Sequence, residues 1–202
     1  MTTTQSIRTL FSRKHDLAIP KLSVFLAGPT PYDGRMTNGW RRKVVQELQK
    51  NELLDYNCLV VSPEPESGYW SEIDDRNDKF KIENHQMLWE IQYLKLCDIT
   101  AFWFPTYWNV ENADDFCPNI GPTARWEFGY FLQEYLKDKD GKTCIVGSPE
   151  DAQSVTWAKR MAEIHGLRWH SLKKEHKDQL VAPSFIDAIA NALIENNWRT
   201  KN

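Results

Sequence analysis

Leu22-Ser-Val-Phe-Leu-Ala27, followed by Gly28-Pro29-Thr30-Pro31, is the stretch of this 202-residue sequence that decides the fold. An apolar run this short, stopped by glycine and two prolines, is typical of a buried β-strand that ends in a tight loop. The same arrangement returns at Cys58-Leu-Val-Val61, which runs into Ser62-Pro63-Glu64-Pro65. The sequence therefore predicts at least two buried strands with similar exits.

Predicted helices alternate with predicted strands along the rest of the chain. The spacing of apolar residues predicts helices over 40–54, from 81 or 85 to 96, and over 122–136, 155–165 and 182–198. Further strands are expected at 99–104 and 142–146, with a short edge strand at 167–172. This alternation predicts an α/β fold, a flavodoxin-like doubly wound sheet of five parallel strands with helices on both faces.

Length and composition predict a single domain over residues 21–202, preceded by an N-terminal extension over 1–20. The extension has basic residues but no apolar core of a secretory signal, and no apolar run has the length of a transmembrane helix. The four cysteines are scattered without a C-x-x-C pair, which favours free thiols in a reducing compartment. We therefore expect a cytoplasmic protein with no membrane partner.

Charge and aromatic content restrict the partners. The formal net charge of −3 gives no reason to expect a nucleic acid polymer or an anionic membrane. Nine tryptophans are many for this length and favour a protein that stacks on flat ligands. The best candidates for stacking on a base are aromatic residues in predicted loops, namely Tyr69, Trp70, Tyr107 and Trp108.

In a doubly wound sheet, ligands bind outside the carboxyl ends of the strands, at the point where the strand order reverses. Gly28-Pro29-Thr30, Pro63-Glu64, the loop after Pro105 and the start of the helix that contains Glu127 all fall at this edge. The unusual residues of the sequence thus cluster where the fold would place a site.

Two glutamates stand out near this edge, Glu90 in one predicted helix and Glu127 in the next. Glu127 lies among aromatic neighbours, where a carboxylate loses water and needs a partner or a task. Paired carboxylates suit glycosyl chemistry, in which one attacks or stabilises the anomeric carbon. By spacing alone, two unrelated surface acids among 28 acidic residues fit equally well.

The sequence lacks the common motifs for phosphate binding, serine hydrolysis and metal binding. The Gly28 loop is neither a Walker loop nor G-x-G-x-x-G, and Ser62 has no G-x-S-x-G context. Arg41 and Arg42 could meet a phosphate, although two arginines on a helix face are more often solvated. The histidines at 85, 165 and 170 lack metal-ligand spacing, so neither a metal nor a cofactor is expected.

Taken in order, several motifs resemble the nucleoside 2-deoxyribosyltransferase-like family. They cover about residues 22–150, and the final third follows the family only in outline. The matching segments are Phe25-Leu-Ala-Gly-Pro-Thr-Pro31, Trp40-Arg41, Pro63-Glu64, Gln86 with Trp89-Glu90, Cys97-Asp98 before Phe102-Trp103, and Thr123-x-x-x-Glu127-Phe-Gly129.

The resemblance implies a retaining double displacement on the N-glycosidic bond of a nucleoside, without a cofactor. Glu127 matches the nucleophile and Glu90 an acid that contacts the sugar and holds the nucleophile. Asp98 matches an acid that we interpret as structural. The positions expected to bind substrate are Gly28, Pro29, Thr30, Trp40, Arg41, Glu64, Trp89 and Thr123.

The sequence departs from the family pattern beside the nucleophile, where Arg125 replaces a frequent asparagine and Ala124 a frequent threonine. Asp114, Asp115 and Asn119 are the candidates for the acid that protonates the leaving base. Family members often complete the site with C-terminal residues of a neighbouring subunit, so a homo-oligomer is expected, with Asn196-Asn-Trp198 as the candidate segment.

Three functions remain open from the sequence. The first is transfer of a (2′-deoxy)ribosyl group from a nucleoside to another nucleobase. The second is hydrolysis of a nucleoside or nucleoside monophosphate by the same nucleophile, where a phosphate would require Arg35, Arg41 or Arg42. The third is a nucleotide-binding sensor module without turnover, because a fold does not fix a function.

Overall fold

A computed structural model describes most of the chain: residues 7–12, 14, 22–29, 39–54, 58–67, 86–106, 122–139 and 141–201. Its strands are β1 (Arg8–Phe11), β2 (Leu22–Ala27), β3 (Cys58–Ser62), β4 (Ile99–Trp103), β5 (Thr143–Pro149) and β6 (Trp169–Leu172). Its α-helices are α1 (Trp40–Gln49), α2 (Gln86–Leu96), α3 (Pro122–Lys137), α4 (Thr156–Ile164) and α5 (Pro183–Lys201). A 3-10 helix covers Lys174–Gln179.

The strands form one parallel sheet in the order β1-β3-β2-β4-β5-β6. Without β1 this is the flavodoxin-like order, in which the chain winds outward in both directions from its first strand. The predicted fold class is thus confirmed, and the reversal of strand order lies between β2 and β4. In sheets of this kind, ligands bind beyond the carboxyl ends of the two strands at this reversal.

The predicted count of five strands was wrong by one. Residues 8–11 pair with β3 in parallel, from Arg8 opposite Leu59 to Phe11 opposite Ser62. Only Leu10 of this strand is fully buried, so the segment lacks the apolar run that marks the inner strands. Part of the N-terminal extension therefore belongs to the sheet.

Each face of the sheet is covered by its own helices. The buried residues of α1 and α5 pack on one face, against alternate residues of β2 such as Val24 and Leu26. The buried residues of α2, α3 and α4 pack on the other face, against Phe25 and Ala27. Strands buried on both faces read as continuous apolar runs, which is why the sequence signal was clear.

α1 is shorter than predicted, and α3 has an exposed face. α1 ends at Gln49, and of the two leucines beyond it Leu54 is buried while Leu53 is 69% exposed. α3 is not buried all round, because Trp126 is half exposed and stacks on Tyr130 on the outer face. In the part of the chain that the structure describes, no helix is long and apolar enough to cross a membrane.

Candidate active site

The candidate site lies at the carboxyl edge of β2, β3 and β4. Two helices, α2 and α3, lie side by side on one face near this edge. In α2, buried residues recur at 86, 89, 90, 93 and 94, and in α3 at 124, 127, 128, 131 and 132. Both series have the spacing of one helix face. Glu90 and Glu127 each occupy a place in such a buried stripe, so the packing of the helices forces both carboxyls out of water.

Glu90 and Glu127 are two buried carboxyls that interact with one another. Their side chains are 8% and 4% exposed, respectively. The pKa of Glu127 is raised well above its ordinary value, first by burial, then by the negative charge of Glu90 and the hydrogen bond with it. The positive charge of Arg41 acts in the opposite direction. Two buried carboxyls in contact do not both ionise readily, so the pair holds a proton to a higher pH than a free carboxyl would.

Arg41 is a buried cation that fixes the loop after β2. Its side chain is 1% exposed, and its guanidinium donates to the carbonyl oxygens of Leu26 and Gly28 at 2.9 and 2.7 Å. A third hydrogen bond of 3.2 Å joins Nη1 to Oε1 of Glu64, which is equally buried. This one residue therefore links the exits of β2 and β3.

The two arginines weighed as phosphate ligands are both engaged with the protein. Arg41 donates hydrogen bonds to two backbone carbonyl oxygens and to Glu64, as described above. Arg42 donates through Nη2 to the carbonyl oxygen of Glu66 at 2.6 Å. Arg35, the third candidate, lies outside the described residues.

Gly28 is required by close packing at the end of β2. A Cβ atom at this position would lie 2.2 Å from the carbonyl oxygen of Trp103 and 3.1 Å from the Trp40 ring. Any side chain would push the loop away from β4. The glycine thus lets the end of β2 lie close against the backbone of β4.

One carboxylate oxygen of Glu64 accepts no hydrogen bond from the described residues. Oε1 accepts from Arg41, whereas Oε2 is buried and has no hydrogen-bond partner among the described residues. An orphaned buried acceptor is costly, and a ligand hydroxyl is one group that would satisfy it.

Gln86 connects Glu90 to the rest of the site. Its amide nitrogen donates to Oε1 of Glu90 at 2.6 Å and to the carbonyl oxygen of Pro63 at 3.2 Å. Its amide oxygen accepts from the Ser12 hydroxyl at 2.6 Å. In the sequence, Gln86 was identified only as part of a family motif. Its position four residues before Glu90 predicts that the two side chains contact each other on a helix.

Several residues expected to bind substrate are packed into the protein. Trp40 is fully buried beside Gly28, and Trp89 is 2% exposed, with its indole N–H donating to the carbonyl oxygen of Lys14. Pro29 is buried, and Thr123 is exposed at the start of α3. Their direct contact with a substrate stays a prediction.

Other predicted positions can be placed only in part. Asp98 lies at the opposite end of the sheet, where its Oδ2 accepts from the backbone N–H and hydroxyl of Ser23 at 3.3 and 3.2 Å. Three of the four cysteines, Cys58, Cys97 and Cys144, are buried and form no disulfide within the part of the chain that the structure describes. The remaining candidates lie outside the described residues, namely Thr30, Tyr69, Trp70, His85, Tyr107, Trp108, Asp114, Asp115, Cys117 and Asn119.

A doubly wound parallel sheet with a buried carboxyl pair near its crevice defines an α/β protein with a candidate site for a small ligand. The family model described as "Nucleoside 2-deoxyribosyltransferase like" matches residues 21–140, and the chain belongs to this family. A comparison with curated proteins finds no match. The resemblance stated from the sequence is confirmed, and family membership points to small-molecule nucleosides and glycosyl transfer.

Proposed function

We propose that the protein transfers the sugar of a (2′-deoxy)ribonucleoside from one nucleobase to another by retaining double displacement. The observation that carries the proposal is the burial of both Glu90 and Glu127, together with the raised pKa that burial and the charge of Glu90 give to Glu127. A buried carboxyl pair is costly for stability, and such groups occur more often where chemistry needs them. The match to the family supports nucleosides as the substrate class.

In the first step, a carboxylate oxygen of Glu127 attacks the anomeric carbon of the bound nucleoside. The C–N bond breaks, and the base leaves with the bonding electron pair and takes a proton from an acid. Asp114 and Asp115 are the candidates for this acid. The result is a glycosyl ester on Glu127. A second base attacks its anomeric carbon from the face that the first base left, gives up a proton and releases the Glu127 carboxylate, so the configuration is retained.

Glu90 is the second carboxyl of the proposed site, beside the nucleophile. The nucleophile must be ionised to attack, and Glu90 is proposed to contact the sugar and to hold the Glu127 side chain in place. The nearby charge of Arg41 favours the ionised carboxylate, whose pKa is otherwise raised by burial. Glu64, with one oxygen available, is proposed to accept a hydrogen bond from a sugar hydroxyl.

An unphosphorylated nucleoside is favoured over a nucleoside monophosphate. Arg41 and Arg42 both direct their guanidinium groups at protein oxygens, which leaves Arg35 as the remaining candidate for a phosphate. Hydrolysis stays the alternative outcome of the same first step, since water could open the ester in place of a base.

A binding module without turnover is disfavoured by the electrostatics. Recognition of a neutral nucleoside gains nothing from a second buried carboxyl beside the first, whereas a nucleophile that a second acid holds in place needs both. Stability alone would favour replacing Glu127 with a neutral side chain.

Chromatography of reaction mixtures distinguishes these functions. The wild-type protein is incubated with each 2′-deoxynucleoside, ribonucleoside and their monophosphates, with and without a second base. We expect base exchange that requires the second base, and no exchange by the Glu127→Gln variant. Free base without exchange would make the protein an N-glycosidase, and an active Glu127→Gln variant would contradict the assignment of the nucleophile.

We also propose a homo-oligomer, on the evidence of the outer faces of α2 and α3. Trp126 is half exposed and stacks on Tyr130, whose ring lies under the Lys95 ammonium of α2 at 5.7 Å. Leu88 and Leu96 of α2 are 40% and 45% exposed. Light scattering of the purified protein tests this proposal, and a monomer at micromolar concentration would contradict it.

A further inference from the structure

The segment that leads into α5 contains a strained turn centred on Leu180. The φ angle of Leu180 is +63°, in the left-handed region that leucine rarely adopts. The backbone N–H of Val181 donates to the carbonyl oxygen of Gln179 at 2.7 Å. A hydrogen bond that spans one residue of positive φ makes this a γ-turn of the rare, strained form. The turn lies outside residues 21–140, which the family model matches.

The backbone of this turn brings a carbonyl group to a buried indole. Trp103, the last residue of β4, is fully buried and donates from Nε1 to the carbonyl oxygen of Leu180 at 3.2 Å. A buried N–H without an acceptor is costly, so this hydrogen bond offsets part of the strain. A glycine at position 180 would offer the same carbonyl without the strain. The leucine side chain therefore needs a separate reason.

The Leu180 side chain lies beside Gly39, where the chain enters α1. Its Cδ1 atom is 3.5 Å from the point that a Cβ atom of Gly39 would occupy. Gly39 is the N-cap of α1, with a φ of +77° and no side-chain hydrogen bond at the cap. Leu180 is 37% exposed, so burial in the core does not account for a leucine here. What the side chain gains is its contact with the start of α1.

These contacts close a ring around the carboxyl ends of β2 and β4. Gly28, at the end of β2, lies against the carbonyl oxygen of Trp103, and the Trp40 ring lies beside Gly28. Trp40 follows Gly39, which Leu180 supports, and Leu180 in turn accepts from Trp103. The segment between β2 and α1 is therefore held at its first end by β4 and at its second end by the turn before α5.

We propose that Leu180 is a positioning residue that fixes the second end of the β2–α1 segment at Gly39, and thereby the residues of this segment expected to bind substrate. Those residues are Gly28, Pro29 and Thr30. Strained backbone of this kind is concentrated at functional sites, where the surrounding structure holds it in place. In its effect on substrate binding, the inference rests on the proposed function.

Urea unfolding tests the strain without a substrate. Leu180→Ala removes the contact with Gly39 and keeps the strain, whereas Leu180→Gly removes both. Leu180→Gly should therefore unfold at a urea concentration about 0.3 M or more above that of Leu180→Ala. Leu53, which is 69% exposed, is the matched control, and there glycine should be no more stable than alanine. A Leu180→Gly variant less stable than Leu180→Ala would overturn the argument from strain.

Hydrogen–deuterium exchange tests the positioning, also without a substrate. In Leu180→Ala, peptides that cover residues 28–43 should exchange about threefold faster or more than in the wild type. Leu180→Gly should exchange as fast as Leu180→Ala although it is the more stable of the two, a result that a purely structural role would not give. Leu180→Met, which fills a similar volume, and Leu53→Ala should exchange like the wild type. Unchanged exchange in Leu180→Ala would overturn the proposal, and so would a Leu180→Met variant that is equally perturbed.

Steady-state kinetics separate this proposal from the proposed function. If sugar transfer is observed, the KM for the nucleoside should rise about threefold or more in Leu180→Ala and Leu180→Gly, with a smaller change in kcat, and Leu180→Met should restore it. An active Leu180→Ala variant with an unchanged KM would contradict the proposal. A wild-type protein that transfers no sugar would refute the proposed function, and the exchange experiment would still decide whether Leu180 positions the segment.

Discussion

Replacing Arg41 with methionine should destabilise the protein severely. The substitution keeps the aliphatic stem but removes a fully buried cation, which leaves Glu64 as a buried carboxylate without its ion-pair partner. Breaking a buried pair in this way costs about 3–5 kcal/mol. Since domains of this kind unfold with about 5–15 kcal/mol, the variant should fold but lose much of its stability.

Urea unfolding at neutral pH measures this cost. Arg42→Met is the matched control, because Arg42 is on the same helix turn but only partly buried, and it should cost about 1 kcal/mol or less. Arg41→Met combined with Glu64→Leu should be more stable than Arg41→Met alone, because the uncompensated charge is gone. An Arg41→Met variant no less stable than Arg42→Met would refute the reasoning, as would a double variant whose two costs simply add.

Three other predictions concern single sites. Gly28→Ala should cost about 1–3 kcal/mol in urea unfolding, because its Cβ meets a backbone carbonyl at 2.2 Å, whereas Gly129→Ala, in an open helix position, should be neutral or stabilising. The Glu127→Gln variant should become more stable relative to the wild type as pH rises above about 4.5, because the raised pKa of Glu127 makes its ionisation unfavourable in the folded state. A difference in the free energy of unfolding that does not depend on pH would contradict this prediction. Burial raises the pKa of Cys97 to about 12 and also raises that of Cys144, so iodoacetamide at about pH 8 should label neither thiol until denaturant is added, and mass spectrometry detects either modification.

The central part of the fold could be predicted because its strands are buried on both faces. β2 was placed at 22–27 from its apolar run and its Gly-Pro stop, and the structure has the same bounds. β1 could not be predicted, because an edge strand of four residues with one fully buried side chain has no such pattern. Its pairing with β3 depends on the rest of the sheet being formed.

The candidate site, like the fold, could be predicted from the sequence only in part. The sequence placed Glu90 and Glu127 near one edge of a parallel sheet but left two unrelated surface acids equally open, and the structure buries both carboxyls and lets them interact. The surroundings of Arg41 did not follow, since an arginine in an amphipathic helix normally faces water. Its burial results from three acceptors, on β2, in the loop after β2 and in the loop after β3, that meet only in the folded chain. Ser12 gave no signal for the same reason.

The most direct test of the account is intact-mass spectrometry of the protein mixed with 2′-deoxynucleosides and ribonucleosides and quenched in acid. The account predicts a wild-type adduct with the mass of one sugar residue, located on Glu127 by peptide fragmentation, and no adduct on the Glu127→Gln variant. Addition of a second base should discharge the adduct and yield the new nucleoside. An adduct on another residue, or base exchange that survives in Glu127→Gln, would contradict the central claim.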